Sequence, residues 1–246
     1  MWLESDRRGG ARSIRSGLPG LTLYRVRKLM RELGTRGTHP RASRRTTAQD
    51  PRAAERPDLV GRDFGSPIPT ARLVGDMTYL RTGQGWLYMA TVIDLCTRVV
   101  VGLAFPERMT ADLPMAAPEA AWGRGYVAEG AVFHSDRGGR YTSRAMADWA
   151  DARRVRPSVG RAGSCHDNAV AESFFGTFKN EMCRLRSFAT REEARLASIR
   201  HVEGYYNRRR PHSAIGCQAP AQKMDALFAR LDAMPEREEA PPTLAA

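Results

Sequence analysis

Between residues 73 and 105 three β-rich runs follow one another with only short turns between them, an order that calls for an antiparallel three-strand meander. Leu73–Leu80 alternates apolar and polar residues, and Trp86–Ile93 and Arg98–Phe105 are the two runs that follow. Thr110–Trp122 then reads as a helix that Pro114 and Pro118 shorten or break. Ala131–His134 reads as a short buried strand, Ser143–Arg153 as a helix and Val155–Ser158 as an edge strand. Asn168–Leu185 is expected to be a long helix, with a last one over about 190–207. Three strands, a helix, a strand and then helices describe an α/β mixed sheet flanked by helices. At 246 residues the chain buries one full core with room for a small appendage.

The segments around this core divide by composition. Residues 1–21 show no periodicity and are expected to lack fixed structure. In 22–70 a short helix comes first: Thr22 can cap it, Val26, Leu29, Met30 and Leu33 repeat at helical spacing, and Gly34 stops it. The remainder, up to residue 70, is rich in Arg, Pro and Thr and reads as a basic linker. The core is expected over 71–225 and an acidic, Pro-rich tail over 226–246.

The net charge of +12 implies a polyanionic partner, and its distribution matters more than its size. Residues 1–60 hold fourteen Lys/Arg against six Asp/Glu, a net of +8. All basic residues except Lys28, Lys179 and Lys223 are arginine, a bias that GC-rich codon usage alone can produce. No lipidation motif, basic amphipathic anchor, apolar signal segment or run of ~18 apolar residues is present, so nucleic acid is a better partner than a membrane. A cytoplasmic protein is expected. Cys96, Cys165, Cys183 and Cys217 lie far apart, without CxxC or zinc-ligand spacing, and read as isolated reduced thiols.

Three carboxylates are candidates for metal chemistry. Asp76 lies inside the first strand, in LVGDMTYL, sharing a face with Val74, Thr78 and Leu80, where a charge is costly unless paired or bound to metal. Asp136 follows the strand AVFH and precedes two glycines, at the strand end where α/β sheets place ligands. Glu172 lies early in its helix, where Val170, Phe174 and Phe178 form an apolar stripe and Glu172 and Lys179 fall ~20° apart on roughly the other side. Each acid has an ordinary explanation when taken singly: a strand Asp bonded to a nearby turn, a turn Asp before glycines, and a solvated helix Glu. Asp94 is expected to begin a turn, Asp167 and Asn168 to cap the Glu172 helix, and His134 to orient or pack rather than ligate metal. Tyr79, Tyr88 and Tyr141 read as core or DNA-facing aromatics.

Together the acids are far more specific, since 35 residues separate Asp136 from Glu172. The blocks GDMTYL, GWLYMATVIDLCTRVVVG, FHSDRGGRYTS, CHDNAVAESFFGTFKNE and YYNRRRPHSAIG occur in the order found in the second-frame transposases of insertion-sequence family three. The resemblance spans roughly residues 22–222. It implies a ribonuclease-H-like mixed five-stranded sheet with a short basic helical N-terminal segment, and the integrase-type core of retroviral integrases. It implies that Asp76, Asp136 and Glu172 are the metal-binding catalytic acids, holding two divalent ions, Mg or Mn. Lys179 matches a DNA-contacting base, and Tyr205, Asn207, Arg208, Arg209, Arg210, Pro211 and His212 match the C-terminal block. Arg208, Arg209 and Arg210, with Arg25, Arg27 and Lys28, are expected to meet DNA phosphate.

The implied activity is cleavage at element ends, then strand transfer by a 3′-hydroxyl. The implied partners are double-stranded DNA at element ends and target, further copies of the chain, and an upstream-frame helix-turn-helix protein. A bacterial, nucleoid-associated location is implied as well. Acids converging without metal should repel each other, raising at least one pKa. The chain departs from the pattern in two places: only the last helix of a helix-turn-helix precedes the core, and Leu73 stands where Trp is frequent. A truncated, non-catalytic DNA-binding relic is therefore the alternative reading.

Overall fold

A computed structural model describes residues 9–37, 56–106, 115–136, 141–160, 168–183 and 186–233. The meander forms as its alternation requires. β1 (Arg72–Thr82), β2 (Gly85–Asp94) and β3 (Val100–Ala104) pair antiparallel, with Leu80 opposite Leu87 and Thr82 opposite Gly85 at the first hairpin. Two shorter strands, β4 (Val132–Ser135) and β5 (Arg156–Val159), then add in parallel on the other side of β1. The result is a mixed five-stranded sheet in the order β3-β2-β1-β4-β5, with β5 at an edge as expected.

Helices cover both faces, since strands buried on both sides need apolar cover on both. On one face, α3 (Ala116–Gly123), α4 (Arg144–Ala152) and α7 (Pro220–Asp232) meet Leu73, Val92 and Phe133 through Ala117, Trp149 and Met224. On the other, α5 (Ala169–Phe178) and α6 (Arg191–Ile199) meet Val74, Leu80 and Met89 through Phe174, Phe178 and Ala194. Gly75 and Gly102 allow the closest approaches. A Cβ on Gly75 would collide with the Phe133 ring, and one on Gly102 with the Ala117 carbonyl of α3.

Three expectations are corrected, and the helix that Pro114 and Pro118 were expected to shorten or break is refined. Residues 1–21 are not uniformly without structure: α1 (Ala11–Ser16) buries Ile14 and packs against α2 (Leu23–Glu32). Thr22 caps α2, accepting from the Arg25 N–H, but Leu29 and Leu33 of the apolar stripe stay exposed. The stretch 56–70 is not a free linker. The Arg56 guanidinium donates to the Tyr141 carbonyl (2.8 Å), the Val159 N–H to the Pro57 carbonyl and the Leu59 N–H to Ser158 Oγ, while Val60 is buried. The first of these bonds joins irregular chain to the turn before α4 and the other two join it to β5, which periodicity cannot report.

The helix expected from Thr110 starts at Ala116, residues 107–114 lying outside the described set, and Pro118 sits in its first turn, where a missing N–H costs little. Finally, α7 runs to Asp232, six residues into the expected tail. Its start carries Pro220 at the first helical position and the Gln222 side chain accepting from the Ala219 N–H. Among the described residues no helix is long and apolar enough to cross a membrane.

Candidate active site

The sheet register assembles the first two acids. Gly75 of β1 pairs with Ser135 of β4, and the next residue on each of these parallel strands is Asp76 and Asp136. Neighbouring strands lie about 4.8 Å apart, so both carboxylates start from adjacent positions on two inner strands, where β4 ends. The chain leaves the sheet at Asp136. Asp76 points to the face of Val74, Thr78 and Leu80, the face covered by α5. Phe174 and Phe178 pin α5 there, which leaves Glu172 exposed in its first turn. Lys179 follows at the C-cap of α5, after an α-helical run that keeps it on the Glu172 face.

Electrostatics register the convergence. The Asp76 carboxyl is pushed up to about 8, first by burial and then by the negative charges of Asp136 and, more weakly, Glu172. The Met77 N–H, donating to Asp76 Oδ1 at 2.7 Å, and the Lys179 ammonium pull the other way. Lys179 is drawn down by burial, opposed by Cys183 and Asp76, and its Nζ sits 5.2 Å from the centre of the Tyr79 ring. The rise expected of acids brought together is therefore present, on Asp76. Among the described residues no group of three His, Cys, Asp or Glu side chains is drawn in tightly enough to hold an ion as it stands. As a donor set the three acids fit a hard divalent cation, because they offer only carboxylate oxygens and Asp136 and Glu172 already destabilise the charge on Asp76.

The remaining candidates lie elsewhere. His134 is buried in β4, its Nδ1 2.8 Å from Ser158 Oγ and 4.0 Å from Asp58 Oδ1, and so ties β4 to β5 and to the preceding segment. Asp94 anchors the β2–β3 turn, accepting from the N–H groups of Thr70 and Thr97 and from Thr97 Oγ1. Asn168 occupies the N-cap of α5 without capping it: its φ of −118° is paired with ψ of 29°, and its buried Oδ1 has no hydrogen-bond partner. Asp167 lies outside the described residues, as does Cys165. Cys96, Cys183 and Cys217 are free thiols.

The six arginine and lysine candidates divide. Arg25, Arg27 and Lys28 are exposed on α2, with Lys28 3.9 Å from Glu32. Arg208 and Arg209 are exposed in the turn after a π-helical segment, Arg200–Tyr206. Arg210 is committed inside the protein. Its Nε donates to the buried Glu181 at 3.0 Å, and its guanidinium lies over the Tyr206 ring. Much of the C-terminal block is likewise structural. Asn207 clips β3 through both the N–H and the carbonyl of Val100, and His212 Nδ1 accepts from the Ala214 N–H. Arg81, Trp86 and Arg186, which the sequence did not single out, line a cavity beside Lys179. The one signal for Arg81 and Trp86 was the alternation at the tip of the first hairpin, and Arg186, on the chain after α5, had none.

Comparison with known proteins bears on this arrangement. Family profiles described as Integrase core domain match residues 66–165 and 153–220. The Transposase InsF for insertion sequence IS3A of Escherichia coli is 37% identical over 202 residues, covering 81% of this chain and 70% of that protein. An insertion element IS600 protein of 31 kDa from Shigella sonnei is 36% identical over 197 residues, covering 80% and 72%. Among solved structures, a simian T-cell lymphotropic virus intasome aligns at TM-score 0.57 and 13% identity, covering 99% of this chain and 79% of that one. The HTLV-2 integrase catalytic core domain in complex with magnesium aligns at 0.50 and 12%, covering 64% and 97%. Those two likenesses speak to the fold alone, and it is the ribonuclease-H-like one.

Proposed function

We propose, from the premise that this chain belongs to the IS3 family of transposases with an integrase core domain, that it cuts and joins DNA strands at Asp76, Asp136 and Glu172. The observation that carries the assignment is the Gly75–Ser135 pairing, which starts Asp76 and Asp136 side by side under the helix that bears Glu172. A pair of divalent cations, Mg or Mn, would supply what the carboxylates lack, activating an attacking oxygen and neutralising charge on the leaving one.

In this reading Asp76, whose charge both other acids oppose, would hold the ions together with Asp136 and Glu172. Lys179 offers its ammonium to the phosphate next to the reacting bond, and Arg208 and Arg209 bear on phosphates further away. The attacking groups are water in the cleavage step and the freed 3′-hydroxyl in the joining step, so the chain needs no nucleophilic side chain. Double-stranded DNA at element ends and target is the substrate. Several copies would assemble on it, and an upstream-frame helix-turn-helix protein would be a further partner.

The test is strand cleavage and joining on oligonucleotide duplexes carrying the sequences that flank the gene, with magnesium. The unaltered chain should give both cut and joined strands. Asp76→Asn, Asp136→Asn and Glu172→Gln should each lower both products by more than roughly a hundredfold while still retarding the DNA. Variants that keep cutting at wild-type rate would remove these acids from the reaction.

A further inference from the structure

Beyond Lys179, away from the acids, lies a cavity of about 780 Å³. It exists because β4 pairs only with Arg72–Gly75, leaving one edge of β1 uncovered from Asp76 until Thr82, which bridges to Phe188. Tyr79, Arg81 and Trp86 wall it from the first hairpin, and Lys179 and Arg186 from the side of α5 and the chain after it. Among the described residues, three of those lining it are cationic and none is acidic. Tyr79 and Trp86 meet edge to face, with ring centres 5.0 Å apart at 80°, and stay 43% and 48% exposed. Two large rings left open beside three cations are poorly explained by folding alone, because neither ring is spent on the core.

Together, positive charge and open ring faces in a concavity are the chemistry of a nucleotide. Phosphate meets cation, and a base stacks on an aromatic ring whatever its identity. The volume falls within the range of small-ligand pockets. Paired bases inside a duplex are already stacked on each other, so only an unpaired nucleotide can offer a free face. Tyr79 lies three residues along β1 from Asp76, roughly 10 Å at strand spacing, which is a few nucleotides along a strand.

We propose that this cavity holds an unpaired nucleotide of the DNA end that runs past Asp76, with its base against Trp86 and Tyr79 and its phosphates met by Arg81 and Arg186. The proposal rests on the transposase reading for the ligand being DNA, and it adds that the end is bound frayed or tailed rather than fully paired.

The experiment compares the binding of the full chain to a blunt duplex and to the same duplex with a short unpaired tail, by fluorescence anisotropy in EDTA. Omitting metal separates the outcome from catalysis. If the acids are misassigned the tail preference survives, and if the cavity is misassigned the preference vanishes while magnesium-dependent cleavage remains. The tailed duplex should bind about tenfold more tightly, the effect of stacking about one base. Trp86→Ala should erase that preference and Trp86→Phe should retain most of it, whereas Arg81→Ala with Arg186→Ala should weaken both duplexes. Equal affinity for blunt and tailed DNA, or a tail preference that persists in Trp86→Ala and Tyr79→Ala alike, overturns the proposal.

Discussion

Asp76 carries the largest electrostatic load in the core, and the load has a sign. Its carboxyl is raised from an ordinary 3.8 to about 8 by burial and by Asp136 and Glu172. Between about pH 4 and about pH 8 the folded, metal-free chain therefore holds a proton that the unfolded chain has released. The stability this group contributes is fully present below about pH 4 and is lost as pH rises through about 8. Thermal melts in EDTA should show that decline, and Asp76→Asn, which removes the titration, should flatten it; an unchanged slope would contradict the coupling. On the proposed assignment of Asp76 to the metal site, a divalent cation would displace the same proton, so magnesium should bind more tightly as pH climbs towards about 8, with proton release measurable by calorimetry in buffers of different ionisation enthalpy. The family resemblance implied that at least one acid would be raised but not which one. Asp76 projects from mid-strand under a helix and is raised first by burial, whereas Asp136 leaves the sheet and Glu172 faces solvent.

At the level of elements, the arginine run 208–210 is a single motif in sequence and two kinds of residue in space. The turn after Tyr206 leaves Arg208 and Arg209 exposed and sends Arg210 to Glu181, which lies in the π-helical turn Lys179–Cys183 directly after α5. Glu181 is 9% exposed at its side chain and also lies 3.6 Å from His201. Arg210→Met should therefore cost about 3 kcal/mol in urea unfolding, the low end for breaking a buried pair because Arg210 keeps some solvent contact. Arg208→Ala and Arg209→Ala should leave the unfolding midpoint alone and weaken DNA retention; the reverse pattern would exchange the two roles. Helix α5 itself was readable from its apolar stripe, but the change to π geometry at Lys179 was not. It accompanies a hydrogen bond from Asn180 Nδ2 to the Gly176 carbonyl, which apolar periodicity does not reveal.

For the whole molecule, the boundary between appendage and core falls earlier than composition suggests. Residues 56–70 look like basic linker, yet Pro57 and Leu59 are tied to β5, Val60 is buried, the Phe64 carbonyl accepts from Arg98 and the Thr70 N–H donates to Asp94. A chain starting at Arg56 should melt within a few degrees of the full one, whereas a chain starting at Arg72 should lose several kcal/mol or fail to fold. The first of these also removes thirteen Lys/Arg and five Asp/Glu, a net of +8. Its DNA affinity should consequently depend less steeply on salt, a shallower line of log K against log salt. An unchanged slope would mean that the N-terminal charge does not touch DNA.

The sequence by itself determined the order of strands and helices, the face on which Asp76 lies, the cap of α2 and the match to an integrase core, because alternation, helical spacing and capping are local properties of the chain. Only the tertiary structure decided that Gly75 meets Ser135, that Arg210 turns inward to Glu181, and that an uncovered edge of β1 becomes a cavity between Lys179 and Trp86. Each of these is a contact between segments 29 to 93 residues apart, fixed by which strand lies beside which and by where each strand ends; no local pattern carries that information.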